Sequence, residues 1–409
     1  MAAHASADRR ISILFAGSYL FHPRDNCMRI DFMNGSVVTV HPGAQEDRAA
    51  MQGTRKFFRV LIVALATTGW GCGEQPDRQA AARGTAVAEF TKHSSYRLYV
   101  TNELSGDLSI IDPEKRKQLR RIALGSRPRG LAAAADGSYL YVALSGSPIG
   151  GPGVEASALP PPDKQADGIG VVDLFAGKLD RTLRGVSDPE QLAWGGNRIY
   201  VASEDTGMAF VMDAVSGRII ANIEVGNEPE GVTVSPDGRM LLVTSEASNT
   251  VSVVSTESHE LIASIPVGAR PRNAAFSPDG RMAYVPTEGD GCMSIVDLRA
   301  MKRAGQIKID GANVRPMGVV VSPDGSRVFV TTGRGGSLVE IDTVTKTVVR
   351  SVIVGPRPWG LAQSPDAKFL FTANGPSNDV TMLESATLRI IDRIDVGERP
   401  WGIAVVETQ

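Results

Sequence analysis

From residue 96 to the end of the chain, short runs that alternate apolar and polar residues are separated by turn residues. In one stretch, residues 231–234 alternate, residues 235–238 read Ser-Pro-Asp-Gly, and β-branched runs follow at 240–244, 250–254 and 261–267. Alternation with period two predicts strands, and Pro, Asp and Gly in this order favour a tight turn. No apolar stripe of helical spacing and length interrupts these runs. The pattern therefore predicts antiparallel units of four strands.

One short motif repeats in register with these units: a proline that follows a charged residue and usually precedes a glycine by two positions. The prolines are Pro128, Pro189, Pro229, Pro271, Pro316, Pro358 and Pro400. They are separated by 61, 40, 42, 45, 42 and 42 residues. A period of this length with four short strands is typical of propeller blades rather than of helical solenoids. The long spacing places an insertion, residues 145–168, in the first complete unit.

The ends of the repeat region complete one unit between them. Residues 96–101 align with a second strand, and residues 402–406 align with a first strand. A ring closed in this way leaves no incomplete blade with an exposed edge. The sequence therefore predicts an all-β domain over residues 96–409. Its expected form is a seven-bladed β-propeller of four-stranded antiparallel blades, closed by pairing the C-terminal strand with the N-terminal three strands.

The second strands also carry a family resemblance. The run Tyr99-Val100-Thr101-Asn102 is echoed at residues 200–202, 284–286 and 329–331. This repeat resembles the YVTN family of bacterial β-propellers over residues 96–409. The resemblance implies an extracytoplasmic binding or surface propeller, and it implies little about activity because one fold hosts many functions.

The residues before the repeats have a different character. Residues 60–66 are a short apolar run that follows basic residues, which is typical of an export signal beginning at Met51. We therefore expect residues 1–50 to be an upstream extension from a mis-called start or a disordered extension. Residues 51–72 would be a signal peptide and residues 73–95 a polar tether. Cys72 is the expected lipidation site, with ordinary cleavage near residues 86–88 as the alternative. The expected location is the periplasm or cell surface, with a lipid anchor as the membrane contact.

Composition and charge narrow the classes of partner. The formal net charge is −2 and the isoelectric point is near 6.3, so nothing favours nucleic acid or anionic lipid. Of three cysteines, only Cys292 lies in the repeat region, where we expect a small half-buried side chain rather than a reactive thiol. No disulfide is expected there, and a monomer is expected.

Catalytic motifs are absent from the sequence. It contains no C-x-x-C-H, H-E-x-x-H or G-x-S-x-G pattern. His259 falls in a turn between third and fourth strands, where a solvated side chain is favoured over a general base. Neither a cofactor nor a metal is predicted.

Alternating strand directions place the Pro motifs, the loops after each second strand and the insertion on one face of the ring, here called the variable face. The residue after each proline should lie near the axis. Arginine beside tryptophan suits a carboxylate or phosphate. The predicted binding residues are therefore Arg127, Arg129, Arg270, Arg272, Arg357, Trp359, Arg399 and Trp401.

A structural interpretation of these arginines stays open. Glutamates recur after the second strands, at Glu103, Glu204, Glu246 and Glu288, and could pair with arginines between neighbouring blades. Gly333 and Gly375 replace this glutamate in the last two units, and Arg334 follows Gly333, so that arc should be more open and more basic. The insertion, rich in Gly and Pro, is expected to form a docking loop or partial lid, or to be disordered.

Two functions follow from the sequence. The favoured one is a non-enzymatic extracytoplasmic binding propeller that recognises an anionic small molecule or an envelope protein through the variable face. The alternative is a metal-assisted enzyme of the lyase or lactonase kind on the same face, for which Glu190, Glu204 and Glu230 could bind a cation.

Overall fold

The computed structural model describes four strands within residues 11–42 and then residues 95–150 and 156–408. The chain divides into two units, Met1–Ala86 and Val87–Gln409. In the first, β1 (Ile11–Phe15), β2 (Gly17–Phe21), β3 (Met28–Met33) and β4 (Val37–Pro42) form one sheet in the order β1-β2-β4-β3. The sequence pattern had indicated no regular elements here. The assignment of residues 1–50 to an upstream extension stays a prediction, and Cys72 lies outside the described residues.

The second unit is a ring of seven four-stranded antiparallel blades. Blade 1 contains β32 (Pro400–Glu407), β5 (Tyr96–Asn102), β6 (Asp107–Asp112) and β7 (Lys117–Ala123). Blade 2 contains β8 (Pro128–Ala133), β9 (Tyr139–Leu144), β10 (Gly168–Asp173) and β11 (Lys178–Leu183). Blade 3 contains β12 (Pro189–Gly195), β13 (Arg198–Ser203), β14 (Met208–Asp213) and β15 (Ile219–Glu224). Blade 4 contains β16 (Pro229–Val234), β17 (Met240–Ser245), β18 (Thr250–Ser255) and β19 (Leu261–Pro266).

The remaining three blades follow the same plan. Blade 5 contains β20 (Ala275–Phe276), β21 (Met282–Thr287), β22 (Cys292–Asp297) and β23 (Lys302–Lys308). Blade 6 contains β24 (Val319–Val321), β25 (Arg327–Thr331), β26 (Ser337–Asp342) and β27 (Thr347–Ile353). Blade 7 contains β28 (Pro358–Gln363), β29 (Phe369–Asn374), β30 (Asp379–Glu384) and β31 (Ile390–Asp395). Two 3-10 turns, Ala156–Ala158 and Gly333–Gly335, are the helical elements of the described residues. None of these residues forms a helix long and apolar enough to cross a membrane.

The C-terminal strand closes the ring. β32 pairs antiparallel with β5, with Pro400 opposite Asn102 and Glu407 opposite Tyr96. The predicted all-β class, the seven blades and the closure are therefore confirmed. Because the C-terminal strand completes a blade that the N-terminal strands begin, the ring has no half-built blade whose inner strand is missing.

The core lies between neighbouring blades. Where blade 7 meets blade 1, Leu98 and Val100 pack with Phe371 and Val380, and all four are fully buried. Burying a large apolar side chain contributes about 1.5–3 kcal/mol. Each blade can bury its apolar face only against the next, so the ring is stable as a whole rather than blade by blade.

The Pro-x-Gly motif has a clear structural reason. Each first strand that begins at the proline of the motif carries a β-bulge directly after that proline, as between Pro400 and Ile403. The bulge turns the residue after the proline toward the axis. A side chain at Gly402 would place its Cβ 2.6 Å from the carbonyl oxygen of Arg129 in the next blade. The same approach recurs at Gly360, whose Cβ would lie 2.5 Å from the Trp401 oxygen. Glycine is required there because a neighbouring backbone passes too close for a side chain.

The threonine of the second strand links one blade to the next. The Thr101 hydroxyl donates to the carbonyl of Arg129 in blade 2 at 2.7 Å and accepts from the Gly402 N–H at 2.9 Å. Thr331 makes the equivalent bonds to the Trp359 carbonyl at 3.1 Å and the Gly318 N–H at 2.9 Å. These bonds satisfy two backbone groups that the bulge removes from the strand ladder. They hold the residue after each proline in a fixed position.

The two faces of the ring differ as predicted. On the turn-rich face, Ser235 donates to Asp237 at 2.6 Å and Gly238 has φ 73°, the expected tight turn. On the variable face, the insertion forms a loop between β9 and β10 and adds no strand within its described residues. Asp167 fixes its base by accepting from the Gly146 N–H at 2.7 Å. The positions of functional interest therefore lie on irregular but anchored loops.

Candidate functional site

The residue before the proline is held in an unusual conformation in six blades. Its φ lies in the left-handed region, for example 54° at Arg270 and 58° at Arg399. Its carbonyl accepts the N–H of the first residue after the second strand, as from Glu288 to Arg270 and from Glu103 to Arg399, both at 2.9 Å. This conformation is costly for a residue other than glycine and is typical of functional or closely packed sites. It places the residue before the proline beside the residue that follows the second strand of the same blade, on the variable face.

The residues after the prolines form a closed set at the axis, here called the axial ring. Its members are Trp401, Arg129, Glu190, Glu230, Arg272, Met317 and Trp359. All seven are buried, from 0% exposed at Glu190 to 9% at Trp359. The sequence favoured free side chains at these positions. The structure instead shows packed ones, because the inner ends of the seven blades bring these large side chains into one narrow space, with a bulge after the proline in five of the blades.

The axial ring is held by stacking and by ion pairs. The indoles of Trp359 and Trp401 lie 5.4 Å apart between ring centres. The Arg129 guanidinium lies 5.4 Å from the Trp401 ring, and that of Arg272 lies 5.4 Å from the Trp359 ring. Arg129 ion-pairs with Glu190, which completes one side of the ring. Stacking of this kind contributes about 0.5–2 kcal/mol per contact and more when water is excluded.

Arg272 is the most heavily paired cation. It ion-pairs with Glu230 and Glu246, and its Nε lies 2.6 Å from Glu288 Oε2. Burial alone would lower the pKa of Arg272, but the three carboxylates together raise it above its ordinary value. Removing this residue would leave three buried glutamates without their common partner. Its first role is therefore structural.

Two of these glutamates, Glu230 and Glu246, interact with each other. Burial and the neighbouring charge of Glu230 raise the pKa of Glu246 to about 9, while Arg272 and Arg270 act in the opposite direction. The raised pKa favours a proton held between the two carboxyl groups, with the arginines supplying the remaining contacts. Sequence reasoning missed this pair, because the two residues belong to the inner strand and to the loop after the second strand of one blade. Their proximity follows from the bulge, which repeat alignment does not reveal.

Three carboxylates of the predicted cation group do come together. Oxygens of Glu190, Glu204 and Glu230 lie within 4.8 Å of one another, the one group in the described chain with spacing suited to a metal ion. Arg129 reaches the same place, with its Nη1 3.4 Å from Glu204 Oε2. The guanidinium supplies positive charge where a cation would bind. The arrangement therefore pairs these carboxylates with the Arg129 guanidinium.

Two of the predicted outer arginines pair with glutamates across the blades. Arg127 Nε lies 2.8 Å from Glu103 Oε1. Arg270 ion-pairs with Glu246, and its Nε lies 3.5 Å from Glu288 Oε2. For these residues the structural interpretation is correct. They fasten neighbouring blades on the variable face.

The other predicted arginines are different. Arg357 and Arg399, with Arg334, form what we call the outer arginine arc, and within the described residues no carboxylate lies within 4.0 Å of any of the three. The Arg357 guanidinium lies 5.3 Å from the Trp359 ring. Burial lowers the pKa of Arg357, and the positive charges of Arg399 and Arg334 lower it further, while the more distant carboxylates of Glu103 and Glu288 act in the opposite direction. The arc is therefore a cluster of like charges that forms no direct ion pair within the described residues.

The arc exists because the repeat changes in the last two blades. Gly333 and Gly375 stand where other blades have the pairing glutamate, and Gly333 has φ 49° with Arg315 O only 2.7 Å from where a Cβ would be. A glutamate could not adopt that backbone at Gly333 without strain. The prediction of a more basic arc at this place is consistent with the geometry. The binding role of its residues stays a prediction.

His259 and Cys292 need no catalytic interpretation. His259 lies on the turn-rich face with its Nε2 3.0 Å from Arg198 Nη1, and burial together with the Arg198 charge lowers its pKa. Cys292 is free and buried, and burial raises the pKa of its thiol. His259 lies on the face opposite the variable face, and the Cys292 thiol lies 3.4 Å from the carbonyl oxygen of Asp290 at the start of β22. Both fit the non-catalytic expectation.

Comparison with known proteins supports the fold and leaves the family open. No family model matches the chain, so membership of the YVTN family is not confirmed. The chain is 26% identical to antigen Lp49 of Leptospira interrogans over 148 residues, which is 35% of this chain and 29% of that relative. The matched segment thus spans less than a third of the relative's length.

Solved structures share the architecture at low identity. Hydrazine synthase of Kuenenia stuttgartiensis matches with a TM-score of 0.60 and 20% identity, covering 75% of this chain and 99% of that chain. A protein of Bacteroides uniformis proposed to be a 6-phosphogluconolactonase matches with a TM-score of 0.62 and 17% identity, covering 76% and 100%. The dihydro-heme d1 dehydrogenase NirN matches with a TM-score of 0.56 and 16% identity, covering 77% and 76%. At these identities the matches show a seven-bladed β-propeller and do not decide between a binding and an enzymatic role.

Proposed function

We propose that this protein is a non-enzymatic binding propeller whose variable face recognises an anionic group at the outer arginine arc. The observation that carries the proposal is the arc itself: Arg334, Arg357 and Arg399 lie together without an ion-pair partner among the described residues. Planar guanidinium groups form paired hydrogen bonds with carboxylates and phosphates. The ligand would be an anionic small molecule or an acidic group of a partner protein.

Electrostatic repulsion within the arc favours the binding of an anion. Charged arginines held together in a partly buried place repel each other, and burial also removes favourable contact with water. An anion placed between Arg357 and Arg399 would relieve both effects. Stacking against Trp359 fixes Arg357 before the ligand arrives, which reduces the ordering cost of binding.

The experiment compares two double variants of equal charge. Arg357→Gln with Arg399→Gln removes the arc, whereas Arg239→Gln with Arg281→Gln removes two exposed arginines from the turn-rich face. Calorimetric titration with inorganic phosphate should show at least a tenfold loss of affinity in the first variant, about 1.4 kcal/mol, and little change in the second. Recovery of an envelope partner on immobilised protein should follow the same order.

Two results would reject this function. One is wild-type protein that binds phosphate no better than the arc variant and also recovers no partner that the arc variant loses. The other is an equal loss in the turn-face variant, which would show that total charge rather than the arc is responsible. Thermal melting of each variant confirms that the fold is intact.

The metal-assisted alternative rests on the Glu190, Glu204 and Glu230 group. For a divalent cation to bind there, Arg129 would have to leave its contacts with Glu190 and Glu204. Elemental analysis of purified protein tests this directly. A stoichiometric divalent metal that is lost in Glu190→Gln would favour the enzyme and displace the binding proposal.

The proposed location is outside the cytoplasm. Export through residues 51–72 and lipidation at Cys72 would place the propeller in the periplasm or on the cell surface. This location supports a binding role because the variable face would meet soluble ligands and envelope proteins there. A monomer is sufficient for such binding, because every residue of the arc comes from one ring.

A further inference from the structure

A second cationic place adjoins the outer arginine arc. Between blades 5 and 6, the variable face has a polar cavity of about 330 Å³ lined by Lys308, Arg315 and Arg334 together with backbone of Gly289, Gly291 and Gly311. Arg334 belongs both to this cavity and to the arc. The cavity, here called the loop pocket, has no part in the function proposed above.

The loop pocket results from a local departure from the repeat. Pro271 and Pro316 are 45 residues apart, whereas Pro316 and Pro358 are 42 apart. In this longer connection the left-handed residue is Asn313, with φ 56°, rather than the residue before the proline. Arg315 is thereby released from the conformation of its counterparts. Its Nη1 lies 3.3 Å from the carbonyl of Glu288, and its side chain borders the pocket.

The charges around the loop pocket favour an anion. Two acids, Asp290 and Asp310, also line it. Asp290 is already engaged, since its Oδ2 accepts from the Ala269 N–H at 2.7 Å. Lys308 Nζ lies 2.5 Å from the Asp290 carbonyl oxygen, which holds the ammonium at the pocket. The pocket is lined by three cationic side chains and two acidic ones, so its net charge is positive. The lysine is a flexible donor and the arginines are planar ones.

We infer that the ligand of the arc carries at least two anionic groups, one bound by Arg357 and Arg399 and the other by Lys308 and Arg315 in the loop pocket. This inference rests on the proposed function. Arg334 joins the two places, because it lines the pocket and acts electrostatically on Arg357. The loop pocket would hold one phosphate or carboxylate group, and the second group would lie outside it, at Arg357 and Arg399. Linking two anionic groups lets the second bind at a high effective concentration.

The test uses inorganic phosphate, pyrophosphate and tripolyphosphate as probes at constant ionic strength, with a hexaglutamate peptide for comparison. We expect pyrophosphate or tripolyphosphate to bind at least tenfold more tightly than phosphate. Lys308→Gln with Arg315→Gln should remove that advantage while changing phosphate affinity less than twofold. Lys302→Gln with Arg281→Gln, on the turn-rich face, is the control and should keep the advantage. Lys308→Gln alone, at an exposed residue, provides a milder variant if the double one is unstable.

The outcomes separate the two proposals. If phosphate binding depends on Arg357 and Arg399 but longer phosphates bind no more tightly, the inference is wrong and the proposed function stands. The same conclusion follows if the loop-pocket variant keeps the full advantage. Tighter binding of hexaglutamate than of any phosphate would also overturn the inference, because it would indicate an extended acidic peptide. If the arc variant binds every probe as wild type does, the proposed function itself is rejected.

Discussion

The threonine links between blades provide the sharpest test of how the axial ring is positioned. In Thr101→Val the side chain keeps its shape and loses its hydroxyl. The carbonyl of Arg129 and the N–H of Gly402 then lose partners at 2.7 and 2.9 Å in a buried place. An unsatisfied buried group costs about 1–3 kcal/mol, so we expect a loss of about 3 kcal/mol in the free energy of unfolding.

The repeat supplies a matched control for this change. Thr372 in blade 7 lies one residue before the position equivalent to Thr101, which is Ala373. It is equally buried, but its hydroxyl donates within its own blade to Asn374 Oδ1 at 3.1 Å. Thr372→Val should therefore cost about 1 kcal/mol, the usual net value of one hydrogen bond. Thr101→Ser should recover most of the loss because it restores the hydroxyl.

Urea unfolding followed by circular dichroism measures these differences, and calorimetry should show a melting temperature about 5 °C lower for Thr101→Val. The reasoning would be refuted by a Thr101→Val loss below about 1 kcal/mol, or by equal losses in Thr101→Val and Thr372→Val. Either result would mean that the residue after the proline is held by the bulge alone.

Three further predictions concern closure, titration and anchoring. Deleting residues 401–409 exposes the edge of β5 in blade 1 and removes Ile403 and Val405 from the core between blades 7 and 1, so the protein should aggregate or lose its cooperative transition; a monomer with unchanged melting temperature would contradict closure. Because the folded pKa of Glu246 is raised to about 9 from its ordinary 4.5, the folded state binds the extra proton and stability should fall as pH rises between those values. Urea unfolding from pH 5 to 9 should show this slope in wild type and not in Glu246→Gln, which can still donate to Glu230; equal slopes would show that the pair holds no proton. Cys72→Ala should move the protein from the membrane fraction to the soluble one and remove the acyl mass, and an unchanged fraction and mass would rule out lipidation.

The architecture was accessible from sequence because each blade repeats the same local signals. Period-two alternation gives the strands, Ser-Pro-Asp-Gly gives the turns, and the spacing of the prolines counts the blades. Tyr99-Val100-Thr101-Asn102 was informative as a pattern, although the bond from Thr101 to the next blade was not foreseen. That bond depends on where a β-bulge places a carbonyl, and bulges leave no reliable trace in composition.

The axial ring was harder to predict, since it depends on seven side chains meeting at one point. Sequence places Arg129 and Glu190 after successive prolines, and it cannot show whether they face a ligand or each other. The burial of both decides this, because a buried charge without a partner is far more costly than two opposite buried charges in contact. The raised pKa of Glu246 beside Glu230 is a further consequence of the same crowding. No sequence signal distinguishes that pair from any other two glutamates in the repeat.

In such a ring, a binding site is best sought where the repeated residues are replaced by others. Blades that keep the pairing glutamate neutralise their arginines, as Glu103 does for Arg127, so those positions have little left to offer a ligand. Gly333 and Gly375 remove the acid and leave Arg357 and Arg399 without one, while the long connection before Pro316 opens a pocket beside them. These changes affect neighbouring blades on one face, and they remove the kind of ion pair that Arg127 forms with Glu103 and Arg270 forms with Glu246. A loss of pairing that is confined to one arc and accompanied by an adjacent cationic pocket is expected for a binding site, since a purely structural ring would gain nothing from it.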